Sequence, residues 1–331
     1  MSATPIIWTL TDGRSGMQAQ AEGLAQCLAA MSGGAVVAGA SYSSRLGKLL
    51  PPKLAATLGL YRLDISSACA PNIVIGCGMA AQAAVLAVEK KYRAYTVYIQ
   101  RPSGSVPAFD AIVAPQHDYY NKTPPQNLIC TLGAVGKINP SLLATRRPQA
   151  RQRFGDAQCM IAVLIGGDNR AYRMETHLLI EQLKKIVALT NAKLLITLSR
   201  RSANTMMTDL QQHFGDTHYL WDGNGENPYI DILAAADGYC ITADSVNMIS
   251  EASASGRAVY LLPLVVKAGA RAQRAQHKFN HFHQALRARG NIRLWEGEWE
   301  FFSAPALEET EHAAQQVWQR YLHTRNNCDE K

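Results

Sequence analysis

The segment Thr242-Ala243-Asp244-Ser245 closes an apolar, strand-like stretch and opens a helix-like one. Asp244 or Ser245 is a natural N-cap there. The free N–H groups and the dipole of a helix start favour a bound anion. Glu251 lies four residues after Asn247 and so on the same helical face. A carboxylate at that place could accept two hydrogen bonds from a ribose diol while phosphates sit at the helix start. Ordinary capping with a solvated Glu251 is the alternative. Two further loops carry phosphate-suited chemistry. Gly166-Gly167, after the strand-like Met160–Ile165, permits close backbone approach to phosphate. Ser199-Arg200-Arg201-Ser202 offers hydroxyls and two guanidinium groups suited to bidentate phosphate recognition. A tight turn and plain surface charge are the bland readings of these two. Three such loops after strands of one sheet favour a phosphate- and ribose-binding set of Gly166, Gly167, Ser199, Arg200, Arg201, Asp244, Ser245 and Glu251.

In the first half, Asp12-Gly13-Arg14-Ser15-Gly16 follows the first strand-like run. Gly13 and Gly16 allow a tight turn, and Asp12 with Gln20 could bind acceptor hydroxyls. His117-Asp118 follows the run Ala111–Ala114. A histidine beside a carboxylate can act as a general base near neutral pH, and a simple turn or cap is the alternative. Gly76-Cys77-Gly78 resembles a dinucleotide fingerprint, but no acid for a ribose follows at the expected spacing. It reads as a close helix–strand turn, and no nicotinamide or other cofactor is expected. His277, His281 and His283 lack the carboxylate of a zinc motif and read as a solvated helix face, so no metal is expected. Lys267, Arg271, Arg274 and Lys278 form a stripe at helical spacing that could meet diphosphate or acidic lipid, or be solvated. Ser44–Leu63 mixes leucines with cations around Pro51-Pro52. It could rest on a membrane surface; a core-facing helix with a basic outer face is the preferred reading.

The elements that must position these residues alternate. Strands are expected near Ile6–Leu10, Val36–Ala38, Ile73–Ile75, Tyr95–Ile99, Ala111–Ala114 and Leu128–Thr131, then near Met160–Ile165, Leu194–Leu198, Tyr219–Trp221, Gly238–Thr242 and Ala258–Leu262. Helical patterns intervene, which implies α/β architecture with parallel sheets covered on both faces. Asn139–Arg153, with two prolines and four arginines, is the expected linker. Two doubly wound Rossmann-like domains facing across a cleft follow. Residues 1–147 would be the acceptor side and 148–331 the nucleotide side, with a final helix over Leu307–His323 able to return to the first.

Length supports this division, since 331 residues exceed the usual span of one core. With 47% hydrophobic and 18% charged residues, disorder is excluded. The net charge of +7 favours an anionic partner, but no cation run with interleaved aromatics points to nucleic acid. Seven scattered cysteines without a CxxC pair read as reduced thiols of a cytoplasmic protein. The start of the sequence lacks signal-peptide character and the apolar runs are short, so any membrane contact is expected to be peripheral, at the inner face.

Asp12-Gly13 with Gln20, Pro115 with His117-Asp118, Gly166-Gly167, Ser199-Arg200-Arg201, Asn227-Pro228-Tyr229, and Thr242–Ser245 with Ser250-Glu251-Ala252 recur in an order that resembles the mitochondrial fission Elm-type family. Its members are similar in turn to GT-B glycosyltransferases. The resemblance implies a donor nucleotide in the second domain and an acceptor in the first, with Glu251 on the ribose and Gly167, Arg200 and Ser245 on the diphosphate. Met17 stands where many relatives carry histidine, which leaves His117, or alternatively Asp12, as the base. The expected function is metal-independent glycosyl transfer from a UDP-, GDP- or CMP-sugar, with an envelope or lipid-linked precursor as acceptor. A non-catalytic module binding membrane or protein partners, and a nucleotide-sugar epimerase or dehydrogenase, are the alternatives.

Overall fold

The computed structural model describes residues 4–47, 49–103, 108–155, 157–199, 202 and 204–329. The chain forms two compact units, residues 1–137 with 308–331, and residues 138–307.

The first unit runs β1 (Ile6–Thr11), α1 (Ser15–Ser32), β2 (Ala35–Ser43), α2 (Pro52–Thr57), β3 (Tyr61–Asp64), β4 (Ile73–Cys77), α3 (Ala81–Tyr92), β5 (Tyr95–Ile99), β6 (Ala111–Pro115) and β7 (Leu128–Thr131). Its sheet has the order β3-β2-β1-β4-β5-β6-β7, parallel except for the β2–β3 pair. Alternate residues of the buried strands serve opposite faces. Ile7, Ile73 and Ile75 pack with Leu24 and Leu28 of α1, whereas Trp8, Leu10 and Val74 pack with Val85 of α3. A Cβ on Gly76 would come within 2.5 Å of Val85 Cγ2, so that glycine serves the close helix–strand contact its neighbours lead one to expect.

The second unit runs α4 (Pro140–Arg153), β8 (Met160–Ile165), β9 (Tyr172–Arg173), α5 (Thr176–Thr190), β10 (Lys193–Leu198), α6 (Asn204–Phe214), β11 (Tyr219–Leu220), α7 (Tyr229–Ala235), β12 (Gly238–Thr242), α8 (Val246–Ser253), β13 (Ala258–Leu262), β14 (Val265–Val266), α9 (Ala270–Ala288) and β15 (Arg293–Leu294). The main sheet is parallel in the order β11-β10-β8-β12-β13-β15, with β9 and β14 as a separate antiparallel pair. Then α10 (Glu309–Asp329) returns to the first unit, where Ala313, Val317 and Tyr321 join the α1 face of the core.

Both sheets are thus doubly wound, and the GT-B-like α/β class expected from the sequence is the one observed. The segment Asn139–Arg153 is not a linker. Asn139 Oδ1 accepts the Leu142 N–H at 2.8 Å, and Pro140 occupies the first turn, where its missing donor costs nothing. The arginines that broke the apolar periodicity of α4 hold the end of α7. Arg147 donates to the carbonyls of Ala234, Ala235 and Ala236, and it pairs with Asp237 together with Arg151. These carbonyls are the orphaned acceptors of a helix terminus, which cations suit.

Candidate functional site

In a doubly wound sheet, ligands bind beyond the carboxyl ends of the strands where the winding reverses. The reversal lies between β8 and β12 in the second unit, and between β1 and β4 in the first. The loops after these strands are Gly166-Gly167, Ala243–Ser245, Asp12-Gly13 and Gly78.

At the second unit's reversal, the buried Asp244 ties three segments together. Its Oδ1 accepts from the Thr242 hydroxyl at 2.6 Å and its Oδ2 from the Gly167 N–H at 3.0 Å, while the Gly166 N–H donates to Thr242 Oγ1 at 2.7 Å. A Cβ on Gly166 would lie 2.1 Å from the Asp244 carboxylate. The paired glycines therefore accommodate a carboxylate of the protein itself, and both of their N–H groups are engaged internally. This corrects the expectation that they approach phosphate directly. The Ser199 N–H donates to the Ile165 carbonyl, its hydroxyl lies 3.3 Å from that of Ser202, and Ser202 donates to the Gly166 carbonyl. Ser199 thus braces the same loop. Arg200 and Arg201 lie outside the described residues. Ser245 is the N-cap of α8 and accepts the Met248 N–H at 3.4 Å.

Beside this knot opens a cavity of about 700 Å³, lined by Asn169, Arg170, Asp244, Val246, Arg271, Arg274, Ala275, Lys278 and Phe279. The helical stripe of cations on α9 supplies three of them. Lys267, the stripe's first member, is instead held by Asp168 at 3.1 Å and the Asn169 carbonyl at 2.9 Å. Arg170, Arg271 and Arg274 have no acidic partner among the described residues. Reading the sequence alone missed Arg170, Asn169 and Phe279. The stripe was visible, but its position against the loop after β8 was not.

Glu251 does not line this cavity. It is half-buried on α8 and accepts the Tyr229 hydroxyl at 2.5 Å, so the Asn-Pro-Tyr and Ser-Glu-Ala segments meet in space. Burial raises its carboxyl to about 7, against the Tyr229 hydrogen bond that favours the ionised form. Behind the knot His283 is buried, pushed down to about 4 by desolvation despite a hydrogen bond with the Ala243 backbone. The expected solvated face thus describes His277 and not His283.

The first unit's reversal opens a cavity of about 560 Å³. Asp12, Arg14, Ser41, Ser43, Gln82, Tyr98, Gln100, Arg101 and Ser103 bring polar groups to its wall beside Met17 and Met79. Arg14 pairs with Asp12 at 3.3 Å. Met17 Sδ accepts from Gln100 Nε2 at 3.1 Å and lies 3.5 Å from the Cys77 thiol. Gln100 holds this place at φ +79°, a left-handed conformation costly for a side-chain-bearing residue. Of the expected acceptor residues Asp12 lines the cavity, and Gly13 makes the turn at φ +76°. Gly16 sits in the first turn of α1. Gln20 is only 4% exposed, within 3.9 Å of the Cys77 thiol. His117 and Asp118 stand on a short 3-10 helix after β6, their side chains 2% and 11% exposed. Gln20, His117 and Asp118 do not line the cavity, and Gln20 and His117 are buried.

Two doubly wound units of this kind place the chain in the GT-B-like fold class. It superposes on the UDP-GlcNAc 2-epimerase of Neisseria meningitidis bound to UDP-GlcNAc with a TM-score of 0.51 and 10% identity, covering 96% of this chain and 100% of that one. The S. aureus MnaA–UDP co-structure gives a TM-score of 0.53 at 8% identity, covering 97% and 90%. At these identities the likeness is one of fold. Within that class the chain belongs to the mitochondrial fission ELM1 family, whose model matches residues 15–321. The mitochondrial fission protein ELM1 of Arabidopsis thaliana is 28% identical over 278 residues, which span 75% of this chain and 63%, less than two thirds, of the plant protein.

Proposed function

We propose that this protein binds a nucleotide-diphosphate sugar in its second unit and transfers the glycosyl group, without a metal ion, to a hydroxyl of an acceptor held in the first. The observation that carries this reading is the cavity at the β8/β12 reversal. Arg170, Arg271 and Arg274 have no acidic partner among the described residues and line it beside the start of α8. Guanidinium groups suit a diphosphate through paired hydrogen bonds and, with the helix start, stabilise the charge of the leaving nucleotide. Asp244 shapes this wall from beneath, and Ser245 starts the helix. Glu251, to which the resemblance assigns the ribose, lies on α8 outside the cavity's lining and is held by the Tyr229 hydroxyl, so a ribose would reach it only beyond the cavity's edge. The diphosphate donors considered are UDP- and GDP-sugars, and a CMP-sugar, which would leave as a monophosphate, is the alternative.

In the transfer, the acceptor oxygen bonds to the anomeric carbon and the bond from that carbon to the diphosphate breaks. The nucleotide leaves with its electron pair, and the acceptor proton passes to a base. Asp12 takes that role over His117, because Asp12 lines the first unit's cavity and His117 is buried away from it. A cell-envelope precursor is the acceptor class favoured here. Met17 supports a second reading, a binding module without catalysis, since a thioether in that cavity exchanges no proton.

Calorimetric titration with UDP, GDP, CMP and their sugars tests the donor site. One nucleotide series should bind, and Arg271→Gln with Arg274→Gln should weaken it by about 100-fold, two charge-assisted hydrogen bonds at roughly 1.5 kcal/mol each. No heat with any of them sinks the reading. Binding without glycosyl transfer or donor hydrolysis, and unaffected by Asp12→Asn, selects the binding module.

A further inference from the structure

The segment between β2 and β3 turns its leucines outward. Leu46 is 63% exposed and Leu49 83%, and Leu54 and Leu58 are also exposed, while Ala55 is fully buried. Ala56 packs toward the core with Tyr61 and Leu63. The core-facing expectation for Ser44–Leu63 is therefore reversed for Leu46, Leu49, Leu54 and Leu58, which face out while the small residues of α2 face inward, and it holds for Tyr61 and Leu63. The backbone that presents them is anchored. The Ser44 N–H donates to the Leu60 carbonyl at 3.1 Å, the Gly47 N–H to Ser44 Oγ at 3.0 Å and the Leu49 N–H to the Leu46 carbonyl at 3.0 Å. Gly47 is held so close that a Cβ would meet the Leu60 carbonyl oxygen at 2.5 Å. Four outward leucines on an anchored excursion are an apolar surface that a monomer in water rarely carries without a use.

Charge tells what covers it. From Ser41 to Leu63 the sequence holds Arg45, Lys48, Lys53 and Arg62 and no acid. Arg45 and Lys53 are exposed beside the leucines. Apolar side chains that enter the acyl boundary, ringed by cations at headgroup level, match an anionic lipid surface. No helix of the described residues is long and apolar enough to cross a membrane, so contact through this segment would lie on the surface. Tyr42 and Met79, 50% and 59% exposed, carry apolar surface to the rim of the first unit's cavity, where both are lining residues.

We propose that residues 44–47 and 49–58 dock this protein on the surface of a membrane containing anionic lipid, with Leu46, Leu49, Leu54 and Leu58 entering the headgroup boundary and Arg45 and Lys53 contacting lipid phosphates. This docking needs no nucleotide and stands whether or not the donor site is as proposed.

Flotation of the full chain with vesicles tests it. The protein should float with vesicles of phosphatidylcholine mixed with phosphatidylglycerol and stay behind with phosphatidylcholine alone. Leu46→Ser with Leu49→Ser should reduce partitioning at least about 10-fold. Arg45→Gln with Lys53→Gln should reduce it by about 5-fold for each cation removed, and added salt should act in the same direction. All four positions are exposed, so unchanged melting temperatures and unchanged nucleotide titrations establish that each variant is folded. Leu189→Ser, an exposed leucine of the second unit, should leave flotation unchanged. Absence of flotation overturns the proposal, as does flotation indifferent to lipid charge or to the leucine pair. A dimer seen by light scattering that the leucine pair abolishes, without vesicle binding, assigns the surface to a second copy instead and overturns it equally.

Discussion

The two units wind their sheets in the same sense and open a cavity at the same topological place, yet they fill that place with opposite chemistry. In the second unit the buried carboxylate Asp244 accepts from the protein's own loop, and the rest of the cavity it lines is rich in cations. In the first unit Asp12 lines its cavity among serines, amides, two tyrosines and two arginines. One arrangement presents fixed positive charge and the other a wall of hydrogen-bonding groups with a single arginine-paired acid. The scaffold chooses where a ligand goes, and a handful of loop side chains choose what it is. On the proposed reading, the cationic cavity takes the donor and the cavity of mixed hydrogen-bonding groups takes the acceptor.

The difference is sharpest at the glycines. Gly166 is required by a neighbour, since a Cβ there would collide with the Asp244 carboxylate. Gly166→Ala should displace that carboxylate from the Gly167 N–H and the Thr242 hydroxyl, costing about 2–4 kcal/mol from overpacking and lost buried hydrogen bonds. Gly13 is required only by its own backbone: φ is +76° and nothing lies within 4 Å of an added Cβ. Gly13→Ala should cost about 1 kcal/mol, the strain of a left-handed alanine partly offset by a less flexible unfolded chain. Urea unfolding of both variants measures the contrast. Equal losses would show that the carboxylate knot does not distinguish the two loops.

How far the sequence reveals this comparison depends on the range of the signal. The strand–helix alternation is local, and β1, β4, β8, β10, β12 and β13 fall where apolar runs predict them. The cap at Ser245 is local too. What the sequence could not disclose is tertiary. That Asp244 spends its charge on Gly167 depends on β8 and β12 being neighbours, and Gly-Gly reads the same whether its partner is a phosphate or an aspartate. The leucines of residues 46–58 have the periodicity of a buried face, and only the packing of Ala55 toward the sheet shows that they point outward. The linker expectation at Asn139–Arg153 failed because the arginines of α4 buy a hydrogen-bonded contact with α7 rather than solvation. The buried His117 looks like a base in sequence, and the buried Gln20 like an acceptor ligand, because residue type carries no information about depth.

The smallest expected effect separates the units by pH. In the first unit, the thiol of Cys27, raised to about 11, and the phenol of Tyr95, raised to about 12, both by burial, respond only in alkali. In the second, Glu251 on α8 and His283 of α9, bonded to the Ala243 backbone before α8, respond between pH 4 and 7 and oppose each other. Glu251 keeps its proton in the folded state up to about pH 7, so its contribution is complete below the unfolded carboxyl pKa and is lost as pH rises toward 7. His283 stays neutral in the folded state down to about pH 4, so its contribution is complete above the unfolded imidazole pKa and is lost as pH falls toward 4. From about pH 4.5 to 6.5 the two slopes oppose each other, and His218, also lowered by burial, adds to the histidine side. Glu251→Gln should uncover the histidine slope, with stability falling by about 1 kcal/mol per unit as the solution is acidified. His283→Gln should uncover the opposite slope, with stability falling by about the same amount per unit as pH rises through this window. Urea midpoints at several pH values read both. Parallel profiles for the two variants would mean that the segment from Ala243 to Glu251 is not held by this opposed pair, and that the second unit's site is built on the Asp244 knot alone.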